Sequence, residues 1–152
     1  MSSAKKPSAT LAKARAYCAR QERCRSEMHA KLFAWGLQED QADKVIARLI
    51  KHDFLNEGRF AEHYAVSKFR QKGWGRVKIR HALQQMEVGS SDITLGMNEI
   101  DADEYRATLM KLIKKQMAKE RGRPSAVRQQ RVIRYLISRG FEAGLVREAL
   151  KG

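Results

Sequence analysis

The sequence predicts an all-α protein made of three tandem three-helix units packed into an elongated, curved modular array. Apolar residues recur at spacings of three and four, the helical period. With 2 prolines, 19 alanines and no sustained apolar/polar alternation between turn signals, strands have little support. A spacing pattern also repeats along the chain. Met28, Leu32, Phe33 and Leu37 return 51 residues later as Ile79, Leu83, Gln84 and Val88, and 104 residues later as Val132, Leu136, Ile137 and Phe141. Behind these anchors come Ala42, Val45, Ile46 and Leu49, then Ile93, Gly96, Met97 and Ile100, then Val146, Ala149 and Leu150. A module this small cannot bury a full core alone, so neighbours are expected to stack in series.

The first unit, residues 11–56, opens with a helix over about Leu11 to Arg23 that puts Leu11, Ala14, Tyr17 and Cys18 on one stripe. Ser26 is the expected N-cap of the second helix, which carries Met28, Leu32 and Phe33 to a left-handed stop at Gly36. The third helix runs from near Glu39 to about Lys51. In the second unit, residues 57–100, the leading helix spans about Arg59 to Lys72 with Phe60, Ala61, Tyr64, Ala65 and Phe69 inward. Gly73-Trp74-Gly75 ends it, and Ile79, Leu83 and Met86 mark the buried face of the next helix. The third unit, residues 101–152, has a longer, very basic first helix from about Ala102 to Lys119, a break at Arg121-Gly122-Arg123-Pro124-Ser125, and a second helix stopped by Gly140. Residues 1–10 read as a flexible basic tail.

The chain carries 31 Lys and Arg against 17 Asp and Glu over 152 residues, a formal charge of +14. The excess is distributed as +5, +2 and +7 over the three units, tail included. Between His63 and Met86 lie Lys68, Arg70, Lys72, Arg76, Lys78 and Arg80 with no acid, and between Arg106 and Arg139 there are eleven cations and one acid, Glu120. Such runs point to an anionic partner, nucleic acid foremost, because neutralising phosphates releases condensed counterions. An acidic protein surface would select the same composition. No apolar run approaches a membrane span. No apolar segment follows the polar start, so a cytoplasmic protein is expected.

Catalytic signatures are missing. There is no phosphate-binding Gly-x-x-x-x-Gly-Lys-Ser/Thr loop, and Gly73-Trp74-Gly75 reads as a helix-ending turn. His29, His52, His63 and His81 are scattered, and no Cys-x-x-Cys pair exists to hold a metal. Cys18 and Cys24 sit six apart in a helical stretch and read as reduced structural thiols. The acids at Glu39-Asp40 and Asp101-Asp103-Glu104 sit where they suit helix starts. The expectation is a non-enzyme without cofactor, metal or small-molecule substrate.

Asn56-Glu57-Gly58-Arg59-Phe60-Ala61, then Lys68-Phe69-Arg70-Gln71-Lys72-Gly73-Trp74-Gly75, then Ile79 and Leu83, resemble the central signature of the RecX regulatory proteins. The first unit, from Tyr17-Cys18-Ala19-Arg20 through Ser26-Glu27 to Leu37, is similar to that family's opening helix pair, and Arg131 to Leu150 to its closing one. Asn56 and Gly58 stand where the family has acids, and Glu87 where it has a glycine ahead of Val88. The resemblance implies three tandem three-helix units and a modulator of the RecA recombinase. Family members bind in the groove of the RecA filament on single-stranded DNA, and most inhibit its ATPase, strand-exchange and co-protease activities. In this reading the partners are RecA and single-stranded DNA, with duplex a weaker ligand and no membrane. The roles implied are in DNA repair, recombination and the SOS response.

Candidate contact residues are the cations of the acid-free runs and their aromatic neighbour. Arg76 and Arg80 lie four apart on one face and, with Lys68 and Lys72, are the favoured contacts; Arg70, Lys78 and Trp74 belong to the same stretch. Trp74 can stack on a base or pack. Arg59 can face a partner or pair with Glu57 or Glu62. The last unit contributes Lys111, Lys114, Lys115, Arg128, Arg131 and Arg134, and the first Arg25 and Lys31. The rivals are a duplex reader with Val77–Met86 as recognition helix and a basic structural or RNA-associated protein.

Overall fold

The computed structural model describes residues 7–151, and among them every regular element is a helix. In chain order these are α1 (Pro7–Arg20), α2 (Arg25–Ala34), α3 (Glu39–Lys51), α4 (Glu57–Lys72), α5 (Arg76–Gln85), α6 (Ser90–Asn98), α7 (Ala102–Lys119), α8 (Ser125–Ser138) and α9 (Ala143–Lys151). They group as three consecutive triplets, each packed on its own members. The hydrogen bonds between triplets, among the described residues, join the first to the second and the second to the third. The units are therefore strung in series.

The repeat supplies the core positions. Met28 and Leu32, Ile79 and Leu83, and Val132 and Leu136 are all essentially inaccessible to solvent. The third position of the pattern behaves differently: Phe33, Gln84 and Ile137 are exposed in every unit. Leu32 and Leu83 already fill the inward stripe, and the next residue is rotated by about 100° away from it. Gly36 and Gly140 stop their helices in the left-handed conformation, with φ +94° and +99°. Glu87 holds the matching place in the second unit at φ +62°, a conformation that crowds its Cβ against the carbonyl oxygen.

Several ends fall elsewhere than expected. Residues 1–6 of the anticipated tail lie outside the described residues, and 7–10 already belong to α1, with Thr10 buried. The cap of α2 is Cys24, whose backbone N–H donates to Glu27 Oε1 at 3.1 Å. Ser26 instead donates its hydroxyl to the Met86 carbonyl at 2.8 Å, a bond between units. Asn56 and Asp101 cap α4 and α7 by accepting from the N–H of Arg59 and Glu104, at 2.9 and 2.8 Å.

Apolar burial divides the chain unequally. Ala14, Cys18, Met28, Leu32, Ala42, Val45, Ile46, Leu49 and Leu55 form a core for unit 1 alone, contrary to the expectation that a module of this size cannot bury one by itself. A larger core runs without interruption through units 2 and 3, and from unit 1 it admits Cys24. Its spine is aromatic: Phe69, Tyr105 and Phe141 stack in order at 5.5 and 5.2 Å between ring centroids.

Candidate nucleic-acid and partner interface

The turn between α4 and α5 is fixed by main-chain contact with unit 3. Gly75 N–H donates to the Arg139 carbonyl at 2.8 Å, and Val77 N–H to that of Gly140 at 2.9 Å. The backbones lie so close that a Cβ on Gly75 would stand 2.3 Å from the Gly140 carbonyl carbon. Arg139 also donates through its guanidinium to the Lys72 carbonyl. Beside this turn, Tyr105 donates its hydroxyl to Glu142 at 2.5 Å and accepts the Arg76 N–H at 2.9 Å. Burial pushes the Tyr105 hydroxyl far above its ordinary pKa, and its bond to Glu142 adds to the shift. Burial would also raise the Glu142 carboxyl, but hydrogen bonds from Tyr105 and the Arg76 guanidinium outweigh it and hold the pKa low.

This geometry sorts the candidate cations. Arg76 is half-buried, 2.9 Å from Glu142 and 3.8 Å over the Tyr105 ring, so its guanidinium belongs to the junction while Arg80 stands exposed. Arg59 pairs with neither Glu57 nor Glu62; it reaches Glu22 at 2.6 Å and Asp53 at 3.2 Å, bridging units 1 and 2. Arg70 forms a bidentate pair with Glu104, at 3.0 and 2.9 Å, and Arg131 pairs with Glu120. Arg25 is exposed and uses its backbone N–H on Glu57 at 2.9 Å. Lys72, Arg80, Lys111, Lys114, Lys115 and Arg134 are exposed and join no ion pair among the described residues; Arg128 is half-buried.

Trp74 is half-buried, one side on the large core, and Lys68 and Lys78 lie 5.1 and 4.5 Å from its ring centroid. Lys68 also lies 5.3 Å from Tyr64. The structure thus brings Lys68, Trp74 and Lys78 from the two arms of one turn into a single cation-bracketed aromatic cluster.

A second cluster of the same chemistry sits on unit 1, and of its members only Lys31 is among the candidates the sequence marks. Tyr17 and Trp35 meet edge to face at 6.1 Å, Lys13 lies 4.3 Å over Trp35, Arg23 lies 3.8 Å over Tyr17, and Lys31 is 5.1 Å from Tyr17. With Ala16 and Arg20, four of these residues line a cleft of about 300 Å³ that holds no acid. The signal was present in the one-turn spacings Lys13/Tyr17 and Lys31/Trp35, but it needed the α1–α2 pairing to join them. A cation beside a π-face can hold a phosphate while the ring takes a base.

Among the described residues, no three His, Cys, Asp or Glu side chains are grouped to hold a metal. Cys18 and Cys24 are buried, and burial raises both thiol pKa values, which disfavours the reactive thiolate. No helix of the described residues is long and apolar enough to cross a membrane.

Comparison with known proteins follows the same three units. Family models for RecX match in order: the first three-helix domain over residues 11–49, the second over 56–96 and the third over 103–150. The regulatory protein RecX of Thermobifida fusca is 27% identical over 95% of this chain and 83% of its own length. That of Clostridium perfringens strain 13 is 31% identical over 76% of this chain, which spans 55% of that relative. The crystal structure of RecX from Lactobacillus salivarius superposes with a TM-score of 0.86 at 19% identity, covering 95% of this chain and 94% of the other.

Proposed function

The chain belongs to the RecX family of regulatory proteins in all three of its domains, and from that premise we propose that it binds the RecA filament on single-stranded DNA and inhibits it. The reading rests on the serial arrangement of the units, each presenting cations outside ion pairs. Such a chain can touch several protomers and the strand between them, so that weak contacts combine through effective concentration. The clusters around Trp35 and Trp74 offer π-faces flanked by ammonium groups, the chemistry that takes single-stranded nucleic acid without regard to sequence. Inhibition of ATPase, strand exchange and co-protease activity is the outcome proposed, with consequences for repair, recombination and the SOS response in the cytoplasm.

The duplex-reading alternative meets a physical obstacle. A recognition helix presents its N-terminal residues to base edges. At the start of α5, Gly75 and Val77 donate to unit 3, and Arg76 is held by Glu142 and Tyr105. The deciding experiment measures RecA's DNA-dependent ATPase while this protein is added, beside binding to bare single strand, bare duplex and RecA-coated strand. Suppression below one protein per RecA, with tightest binding to coated strand, is expected. No effect at any ratio overturns the proposal.

A further inference from the structure

The repeat permits a comparison of equivalent helix seams inside one molecule. In unit 2, α6 closes on α4: Gly96 lies against Ala61 so tightly that a Cβ there would stand 2.6 Å from the Ala61 carbonyl oxygen. Ala149 occupies the same place of the repeat in unit 3, but α9 leans on α8 and meets α7 only sparingly. The seam between α7 and α9 is consequently an open groove of about 680 Å³. Its floor is Met110, Ile113 and Met117 from α7 with Ala149 and Leu150 from α9. Its charged lining is Lys111 and Lys114, with no acid.

We propose that this groove docks an amphipathic α-helix of a partner protein, with aliphatic residues along one stripe and Asp or Glu beside it. Two helices with a groove between them accept a ridge of side chains at i, i+3, i+4 and i+7. The thioethers of Met110 and Met117 adapt to such a ridge, and Met110 is 45% exposed. Charge complementarity selects the flanks: both lysines are exposed, join no ion pair among the described residues, and have Lys115 exposed beside them. An apolar floor is unsuited to a phosphate backbone, which separates this groove from the aromatic clusters.

The test uses the full chain and labelled synthetic helices about four turns long, with Leu on one stripe and either Glu or Lys on its flanks, read by fluorescence anisotropy. The Glu peptide is expected to bind at least about tenfold more tightly than the Lys peptide, by electrostatic complementarity. Met110→Glu is expected to weaken it at least about tenfold, since a carboxylate then meets the apolar stripe. Joint Lys111→Glu and Lys114→Glu should reverse the preference towards the Lys peptide, which lost packing alone would not do. All three positions are exposed, and thermal melting by circular dichroism checks that the variants fold. Equal affinity for the two peptides, no binding, or full binding by Met110→Glu overturns the proposal. So does self-association in sedimentation that Met110→Glu abolishes, because the occupant is then a second copy. RecA is absent throughout, so failure here leaves the filament reading standing.

Discussion

Between units 2 and 3, Gly75 and Gly140 bring main chain against main chain, an aromatic spine crosses the boundary, and Tyr105, Glu142 and Arg76 satisfy one another beside it. Between units 1 and 2 most contacts are made by side chains: Arg59 reaches Glu22 and Asp53, Ser26 reaches Met86, Glu57 accepts the Arg25 N–H, and Cys24 enters the neighbouring core. Side-chain pairs of this kind, part-exposed, hold weakly and can be remade at small cost. A shared apolar core with backbone contact resists rearrangement, because a close-packed interior yields little. The same module is thus coupled rigidly on one side and adjustably on the other, and unit 1 is expected to move and unfold as a body of its own.

The largest test of that contrast is Gly75→Ala. The added methyl meets backbone atoms of Gly140 and Phe141 at 2.3 to 2.4 Å, which no rotamer change relieves. A loss of about 3 kcal/mol or more is expected in urea unfolding, concentrated in units 2 and 3. A loss below about 1 kcal/mol would mean that the backbones do not touch. Next is Tyr105→Phe, which leaves the Glu142 carboxylate and the Arg76 N–H each short of a partner. The expected loss is about 1 to 3 kcal/mol, with no change in hydrogen exchange within unit 1.

Acidification separates the junctions by sign. The pKa of Glu142 is depressed in the folded chain. Its contribution is therefore complete above the unfolded value of about 4.3 and is lost as pH falls through the lower folded value. Burial, opposed by the hydrogen bond from Arg25 N–H, raises Glu57. Its contribution is present below the unfolded value and lost as pH rises through the folded one. Acid titrations of Glu142→Gln and Glu57→Gln should flatten opposite limbs of the stability profile, and parallel changes would refute the assignment. The smallest effect expected is a gain. Glu87→Gly relieves a left-handed residue next to the Met86 carbonyl that Ser26 bonds. The relief of about 1 kcal/mol or more is offset in part by the unfolded chain's greater freedom, leaving about 0.5 kcal/mol in a thermal melt.

Local signals carried most of the helices to their places. The bounds of α3 and α7 coincide with those read from Glu39 to Lys51 and Ala102 to Lys119, because acids mark both starts and the apolar period is unbroken. Ser26 misled because its type suits a cap, and only the approach of α5 showed its hydroxyl bonded elsewhere. The exposure of Phe33 and Ile137 was likewise a matter of which stripe the neighbouring helices covered. Less of the candidate interface was legible. Composition marks a cation but not its partner, so Arg70, Arg76 and Arg131 look like Lys72 or Arg80 in the sequence, and Arg59 pairs with Glu22 and Asp53 rather than with the nearer Glu57 or Glu62. The Gly75–Gly140 contact left no local trace, since glycine at a turn looks the same whether or not another backbone lies against it.

That contact also has a consequence in time. Unit 1 encloses its own core within residues 10–55 and can close as it leaves the ribosome. Unit 2 emerges next with one flank of its core bare, because Phe141 and Val146, which cover it, come much later. Gly140 follows Gly75 by about 65 residues, roughly 3 to 13 s at about 5–20 residues per second. Over that interval the nascent chain carries a finished module and a half-clad one, and the middle unit is expected to show apolar surface to proteases and chaperones until Phe141 and Val146 arrive.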